Sequence, residues 1–276
     1  MTHQARIAFI GGGNMARSLI GGLIADGYAA DRIRVSEPDR ARGERLAAEM
    51  GVTVLEDNRE AADGVDAAIL AVKPQVIRTV AEQVGPTLTQ HGALAVSIAA
   101  GVRITDLERW LGPPSAVVRC MPNTPSLVRS GATALCANTA ATEAQRELAE
   151  SLMRAVGQTL WVEDERLMDA VTALSGSGPA YFFLVMEALE EAGVELGLER
   201  EAARLLTLET ATGAARMALE SDDTPAQLRQ AVTSPGGTTE QALNVLEDAD
   251  LRGAIRRAAQ AAATRADELG NLLGEQ

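Results

Sequence analysis

Ile7-Ala8-Phe9-Ile10-Gly11-Gly12-Gly13-Asn14-Met15-Ala16 is a four-residue apolar run, then a GxGxxA loop, then an amphipathic stretch over residues 16–26. A buried strand that turns through glycines straight into a helix is the setting a dinucleotide fingerprint requires. Gly11 permits the tight turn, Gly13 lets backbone approach a pyrophosphate, and Ala16 keeps the helix close to the sheet, while the first helical N–H groups face the anion. Gly11, Gly13, Asn14 and Met15 are therefore the candidate cofactor contacts of this loop.

Outward from the loop, apolar runs at residues 33–35, 52–55, 67–72, 94–98 and 117–120 alternate with helical patterns. That alternation predicts βαβ units and a parallel sheet. Residues 132–137 and 159–162 are expected to add edge strands, with a helix over 142–156 between them. Strand signals stop after Asp164. From there the period is helical, and Ile255, Ala259, Ala262, Ala266, Leu269 and Leu273 form one stripe of the last helix. The expected fold is an α/β Rossmann-like dinucleotide-binding domain over 1–164 and an all-α C-terminal domain over 165–276. The helical part is short for the apolar stripes it carries, which points to oligomerisation through it.

Composition narrows the chemistry. The 276 residues carry a net charge of −13, the wrong sign for holding nucleic acid by bulk electrostatics. No stretch approaches the roughly 20 apolar residues of a spanning helix, and the run at 7–10 leads into glycines rather than a cleavage site, so a cytoplasmic protein is expected. The 2 histidines, His3 and His91, lie in contexts unsuited to a catalytic base or a metal ligand. Cys120 and Cys136 lack CxxC spacing and read as small core residues. No metal is expected.

The second strand runs into Ser36-Glu37-Pro38-Asp39-Arg40, about 20 residues past the loop, where a carboxylate would hold a ribose 2′-hydroxyl and an arginine would accept a 2′-phosphate. Glu37 argues for NAD, whereas Ser36, Arg40 and Arg42 argue for NADP, and all of them also read as solvated turn residues. The loop leaves cofactor choice open.

Four further segments carry the rest: Ala71-Val72-Lys73-Pro74-Gln75, Val118-Arg119-Cys120-Met121-Pro122-Asn123-Thr124-Pro125, Leu174-Ser175-Gly176-Ser177-Gly178-Pro179-Ala180-Tyr181, and Val232-Thr233-Ser234-Pro235-Gly236-Gly237-Thr238-Thr239. With the N-terminal IGGGNM, this set and order resemble the pyrroline-5-carboxylate reductases along essentially the whole chain. The resemblance implies reduction of a cyclic imino acid, 1-pyrroline-5-carboxylate, to L-proline, the last step of proline synthesis. It implies NADPH as the usual donor and NADH as the alternative. It also implies a homo-oligomer built on dimers, in which the substrate loop of one subunit helps close the site of its partner.

Matched to the family pattern, Ser36 and Asn58 lie near the adenosine ribose. Ala71, Val72, Lys73, Pro74, Ala99, Met121, Pro122 and Asn123 lie near the nicotinamide half. Lys73, the sole lysine, reads equally as a solvated residue on a strand-end turn. Ser234, Gly236, Gly237, Thr238 and Thr239 precede a helical stretch and form a candidate substrate-binding nest, with N–H groups and a helix dipole behind them. A threonine N-cap is the plainer reading of the same residues. In the first reading the amides of 236–238 hold the substrate carboxylate, and Thr239, or a water it holds, is the catalytic contact to the ring nitrogen. A β-hydroxyacid dehydrogenase shares the two-domain plan but would normally show a lysine on a helix of the second domain, and this chain has none after Lys73. A non-catalytic NADP-binding protein is the other alternative.

Overall fold

The computed structural model describes residues 5–275, so His3 lies outside them. Among the described residues there are eight strands: β1 (Ile7–Ile10), β2 (Ile33–Ser36), β3 (Thr53–Leu55), β4 (Ala67–Leu70), β5 (Leu94–Ser97), β6 (Val117–Met121), β7 (Gly131–Ala137) and β8 (Gly157–Trp161). They form one sheet in the order β3-β2-β1-β4-β5-β6-β7-β8. The first six are parallel, β7 is antiparallel to β6, and β8 is parallel to β7. Strand β4 ends at Leu70 and not at 72: Ala71 N–H still reaches Ile10 O, but Pro74, which has no N–H, opens a 3-10 turn, Pro74–Val76.

Helices α1 (Asn14–Ala25), α2 (Arg40–Met50), α3 (Asn58–Ala62), α4 (Ile77–His91), α5 (Ile104–Leu111) and α6 (Glu143–Arg154) connect these strands. Every residue of β1, β4 and β5 is buried, as expected for parallel strands covered on both faces. Alternate residues feed two cores. Ala8, Ile10, Ala68 and Leu70 belong to one, and Ile7, Phe9, Ala67 and Ile69 to the other. Cys120 and Cys136 are both buried and free and join opposite cores, so the sheet itself separates the thiols.

The chain divides into two compact units: one runs to Ser177 and resumes at Ala261, and the other is Gly178–Gln260. This differs from a division at 164 for an electrostatic and packing reason. Glu165 accepts from the buried Arg119 guanidinium at 2.7 Å and from Ile104 N–H at 2.8 Å, anchoring α7 (Leu167–Val171) to the sheet. Near the other end, Arg103 pairs with Asp267 at 2.7 Å, Arg109 donates to Gly274 O, and Leu273 is buried in a sheet core. The last turns of the C-terminal helix thus belong to the first unit.

The second unit holds α8 (Gly178–Glu195), α9 (Arg200–Glu220), α10 (Pro225–Ala231), α11 (Thr238–Asp248) and the first turns of α12 (Leu251–Gly274). Helices α8 and α9 pack at Gly193, where a Cβ would come within 3.0 Å of Ala203 Cβ. Phe182, Phe183, Leu184 and Val185 on α8 and Leu205 and Leu206 on α9 remain exposed. The stripe expected on α12 is unevenly buried: Ala266 and Leu273 are buried, Ala259 and Ala262 are half-buried, and Ile255 and Leu269 are exposed. Among the described residues, no helix is long and apolar enough to cross a membrane.

Candidate active site

The strand order reverses direction between β1 and β4, which opens a crevice beyond their carboxyl ends. Gly11 sits at this point with φ +104°, and a Cβ there would fall 2.7 Å from Ala71 O and 3.0 Å from Val72 Cγ1. Its N–H donates to Ser36 O at 2.9 Å, locking the loop to β2. Gly13 has the opposite surroundings. It is the N-cap of α1, and a Cβ on it would meet nothing within 4 Å. No side chain caps α1, so its first-turn amides stay available to an anion in that open space. A pyrophosphate fits this cradle. The helix starts at Asn14, two residues earlier than its hydrophobic pattern indicates, so Asn14 and Met15 supply those amides.

The end of β2 is less open than the sequence indicates. Ser36 is 1% exposed and its hydroxyl donates to Asn58 Oδ1 at 2.6 Å, while Asn58 Nδ2 donates to Gln83 Oε1 at 2.7 Å. Ser36 therefore orients Asn58 from beneath, and Gln83 is a partner that no motif marked. Glu37 is buried as well and turns back onto the loop, accepting from Gly12 N–H at 3.1 Å and from Asp39 N–H at 3.0 Å. The reading of Glu37 as a solvated turn residue is thereby corrected. Arg17, Arg42 and Arg45 line a cleft with Gly12, Gly13 and Asn14.

Parallel strands bring the remaining candidates to the same sheet edge. Ala71, Val72 and Pro74 are partly buried there, Lys73 is exposed, and Ala99 and Pro122 are buried. Asn123 spends its side chain internally, donating to Ser175 O at 3.1 Å and accepting from Ala132 N–H at 2.9 Å. What it offers a ligand is backbone. Met121 packs against Gly176, where a Cβ would come within 2.6 Å of Met121 Cε. Residues 172–176 are a π-helical turn, so the small-residue segment before α8 is wound rather than a loop.

In the second unit, Gly237 is the N-cap of α11, and no side chain caps that helix. Thr238 and Thr239 are its first residues, which displaces the plainer reading of a threonine cap. Gly236 holds φ +71°, a left-handed conformation that favours glycine. Its N–H donates to Glu240 Oε2 at 2.7 Å, and Gly237 N–H donates to Ser234 O at 2.9 Å. Two of the three amides assigned to an anion by sequence are thus engaged within the loop. The amides that lack an intrahelical partner begin at Thr238 and continue through Thr239 into the first turn.

Comparison with known proteins bears on both units. Residues 165–269 match the family model described as pyrroline-5-carboxylate reductase dimerisation, and residues 6–101 match that of NADP oxidoreductases, coenzyme F420-dependent. The pyrroline-5-carboxylate reductase of Pseudomonas aeruginosa is 51% identical over 270 residues, covering 98% of both chains. A solved pyrroline-5-carboxylate reductase from Coxiella burnetii superposes with a TM-score of 0.93 at 51% identity, over 96% of this chain and 98% of that one. The pyrroline carboxylate reductase of Plasmodium falciparum, solved with NADP bound, gives a TM-score of 0.87 at 30% identity, over 97% and 99%.

Proposed function

The chain belongs to the pyrroline-5-carboxylate reductase family, and from that premise we propose how its residues perform the reduction of 1-pyrroline-5-carboxylate to L-proline, the last step of proline biosynthesis. It is an NAD(P)H-dependent oxidoreductase. Bound NADPH, or NADH, supplies the hydride. The ring carbon of the C=N bond receives it, and the ring nitrogen ends the reaction carrying a proton.

Gly11, Gly13, Asn14 and Met15 hold the pyrophosphate, and Asn58, set by Ser36, borders the adenosine ribose. Ala71, Val72, Lys73, Pro74, Ala99, Met121, Pro122 and Asn123 border the nicotinamide, largely through backbone. The substrate carboxylate rests on the amides of Thr238 and Thr239, and Ser234, Gly236 and Gly237 shape that turn. Thr239, directly or through a water, hydrogen-bonds the ring nitrogen. A protonated imine is already electrophilic, so orientation against the nicotinamide is the main requirement, and a chain with one described histidine, the last residue of α4, can meet it. His91 is instead held by Asp63 at 2.9 Å.

The observation that carries the substrate half is the start of α11, a helix without a side-chain cap behind a left-handed glycine. The functional division we propose falls at 164, with 165–276 as the pairing part. Two copies associate through that helical part, and larger assemblies are built on such dimers. We place the enzyme in the cytoplasm, where its two free thiols stay reduced. Initial rates of NADPH and NADH oxidation across five- and six-membered cyclic imino acids test the assignment. Pyrroline-5-carboxylate should give the highest kcat/KM, and a panel with no turnover would refute it.

A further inference from the structure

Asn123 is 9% exposed, and both ends of its side-chain amide are spent inside the protein. Nδ2 donates to Ser175 O at 3.1 Å, and Oδ1 accepts from Ala132 N–H at 2.9 Å. One amide just past the end of β6 is thus tied both to β7 and to the π-helical turn at 172–176.

A turn this wide is uncommon and occurs frequently at functional sites. Here Ser177 N–H reaches Thr172 O at 2.8 Å, a five-residue step, and the buried side chains of Met168 and Ala173 anchor the stretch. Gly176 then lies so close to Met121 that a Cβ on it would stand 2.6 Å from Met121 Cε. The 175–177 segment is therefore fastened to the edge assigned to the nicotinamide by Asn123 and spaced from it by Met121. The pyrophosphate cradle is elsewhere: it follows β1, and β6 lies three strands away in the sheet, about 14 Å at the usual strand spacing.

We propose that Asn123 is a positioning residue for hydride transfer: through Ser175 O it sets the 175–177 segment against Met121, and that wall holds the nicotinamide at its working distance from the substrate. Losing the donor removes no bond to the cofactor but frees the wall to shift. A misplacement of about 1 Å in a reacting pocket can cost about a hundredfold in rate. The inference rests on the reductase reading of this chain.

Single-turnover oxidation of NADPH by saturating pyrroline-5-carboxylate, followed by stopped-flow fluorescence, tests it beside a separate titration of NADP⁺ without substrate. Asn123→Asp keeps an acceptor for Ala132 N–H and places an oxygen where Ser175 O needs a donor. Its hydride-transfer rate should fall by about tenfold to a hundredfold, while the NADP⁺ dissociation constant stays within about threefold of wild type. A merely structural defect would lower the fraction of sites that bind NADP⁺ and leave the rate at each occupied site unchanged. Gly176→Ala, whose methyl presses on the flexible end of Met121, should slow the same step, and it decides the matter if Asn123→Asp does not fold. An unmoved rate, or a rise in the dissociation constant as large as the fall in rate, would overturn the proposal. A wild-type chain that oxidises no NADPH refutes the reductase reading and this inference with it, whereas an active wild type with unslowed variants refutes the inference alone.

Discussion

The carboxylate of Glu240 lies 2.7 Å from the backbone nitrogen of Gly236. The side chain of the third helical residue of α11 reaches back past Gly237 and fixes the turn from which Thr238 and Thr239 emerge. A capping box would return this carboxylate to the N-cap N–H; here it takes the N–H one residue earlier, and Gly237 stands at the N-cap where a serine or threonine would. The omission matters because an N-cap hydroxyl accepts from the second or third helical amide, and the second, that of Thr239, is one a substrate carboxylate needs.

Thr239→Ala should lower kcat/KM for pyrroline-5-carboxylate by one to two orders of magnitude, about 1.4 to 3 kcal/mol, as a charge-assisted hydrogen bond is lost. NADPH affinity, titrated separately, should barely change. Gly236→Ala tests the backbone half, because a side chain at φ +71° is strained by about 1–2 kcal/mol. The companion Gly237→Ala acts differently: its φ of −81° suits any residue, and its methyl meets Ser234 O at 3.0 Å. Full activity in Thr239→Ala and Gly236→Ala would reduce the loop to a plain helix start.

Gly13→Val should fold normally, since a Cβ there meets nothing within 4 Å, yet raise the NAD(P)H dissociation constant by on the order of tenfold or more by filling the pyrophosphate cradle. Gly11→Ala should instead lower stability by about 1–3 kcal/mol, from its φ of +104° and the contact with Ala71 O. Thermal melts and cofactor titration separate the two. A folded Gly13→Val with unchanged cofactor affinity would contradict the assignment.

Much of this was legible in the sequence. Apolar runs located all eight strands to within a few residues, and in β1, β4 and β5, buried throughout, the run is unbroken because both faces are covered. The amphipathic α6 between the last two strands was equally visible; that β7 lies inside the sheet, antiparallel to β6, with only β8 at that edge, was not. Nor was side-chain direction. Ser36 and Glu37 adjoin in sequence, yet one turns under Asn58 and the other onto Gly12, a consequence of strand alternation and of backbone donors that no motif records. Residues 165–177 look continuous with the helices after them, but the long-range pair Arg119–Glu165 holds them to the sheet. Local periodicity carries no signal for a partner 46 positions away.

Burial pushes the thiols of both Cys120 and Cys136 up, which disfavours the reactive thiolate. At neutral pH the native protein should therefore resist a thiol-reactive disulfide reagent and release two equivalents per chain only after denaturation. Rapid native labelling would show that the sheet opens around β6 and β7.

Phe182, Phe183, Leu184, Val185, Leu205 and Leu206 expose more apolar surface than a lone helical unit normally leaves in water. Sedimentation at micromolar concentration should show a dimer or a multiple of one. A stable, active monomer would refute pairing through this unit.

The central claim is that this chain passes hydride from a nicotinamide held at the glycine loop to pyrroline-5-carboxylate, and the most direct test is the stoichiometry of that reaction. Purified protein given NADPH and pyrroline-5-carboxylate should form one L-proline, measured by chromatography, for each NADPH oxidised, measured by absorbance. Oxidation without proline, or no oxidation above the protein-free rate, would contradict it.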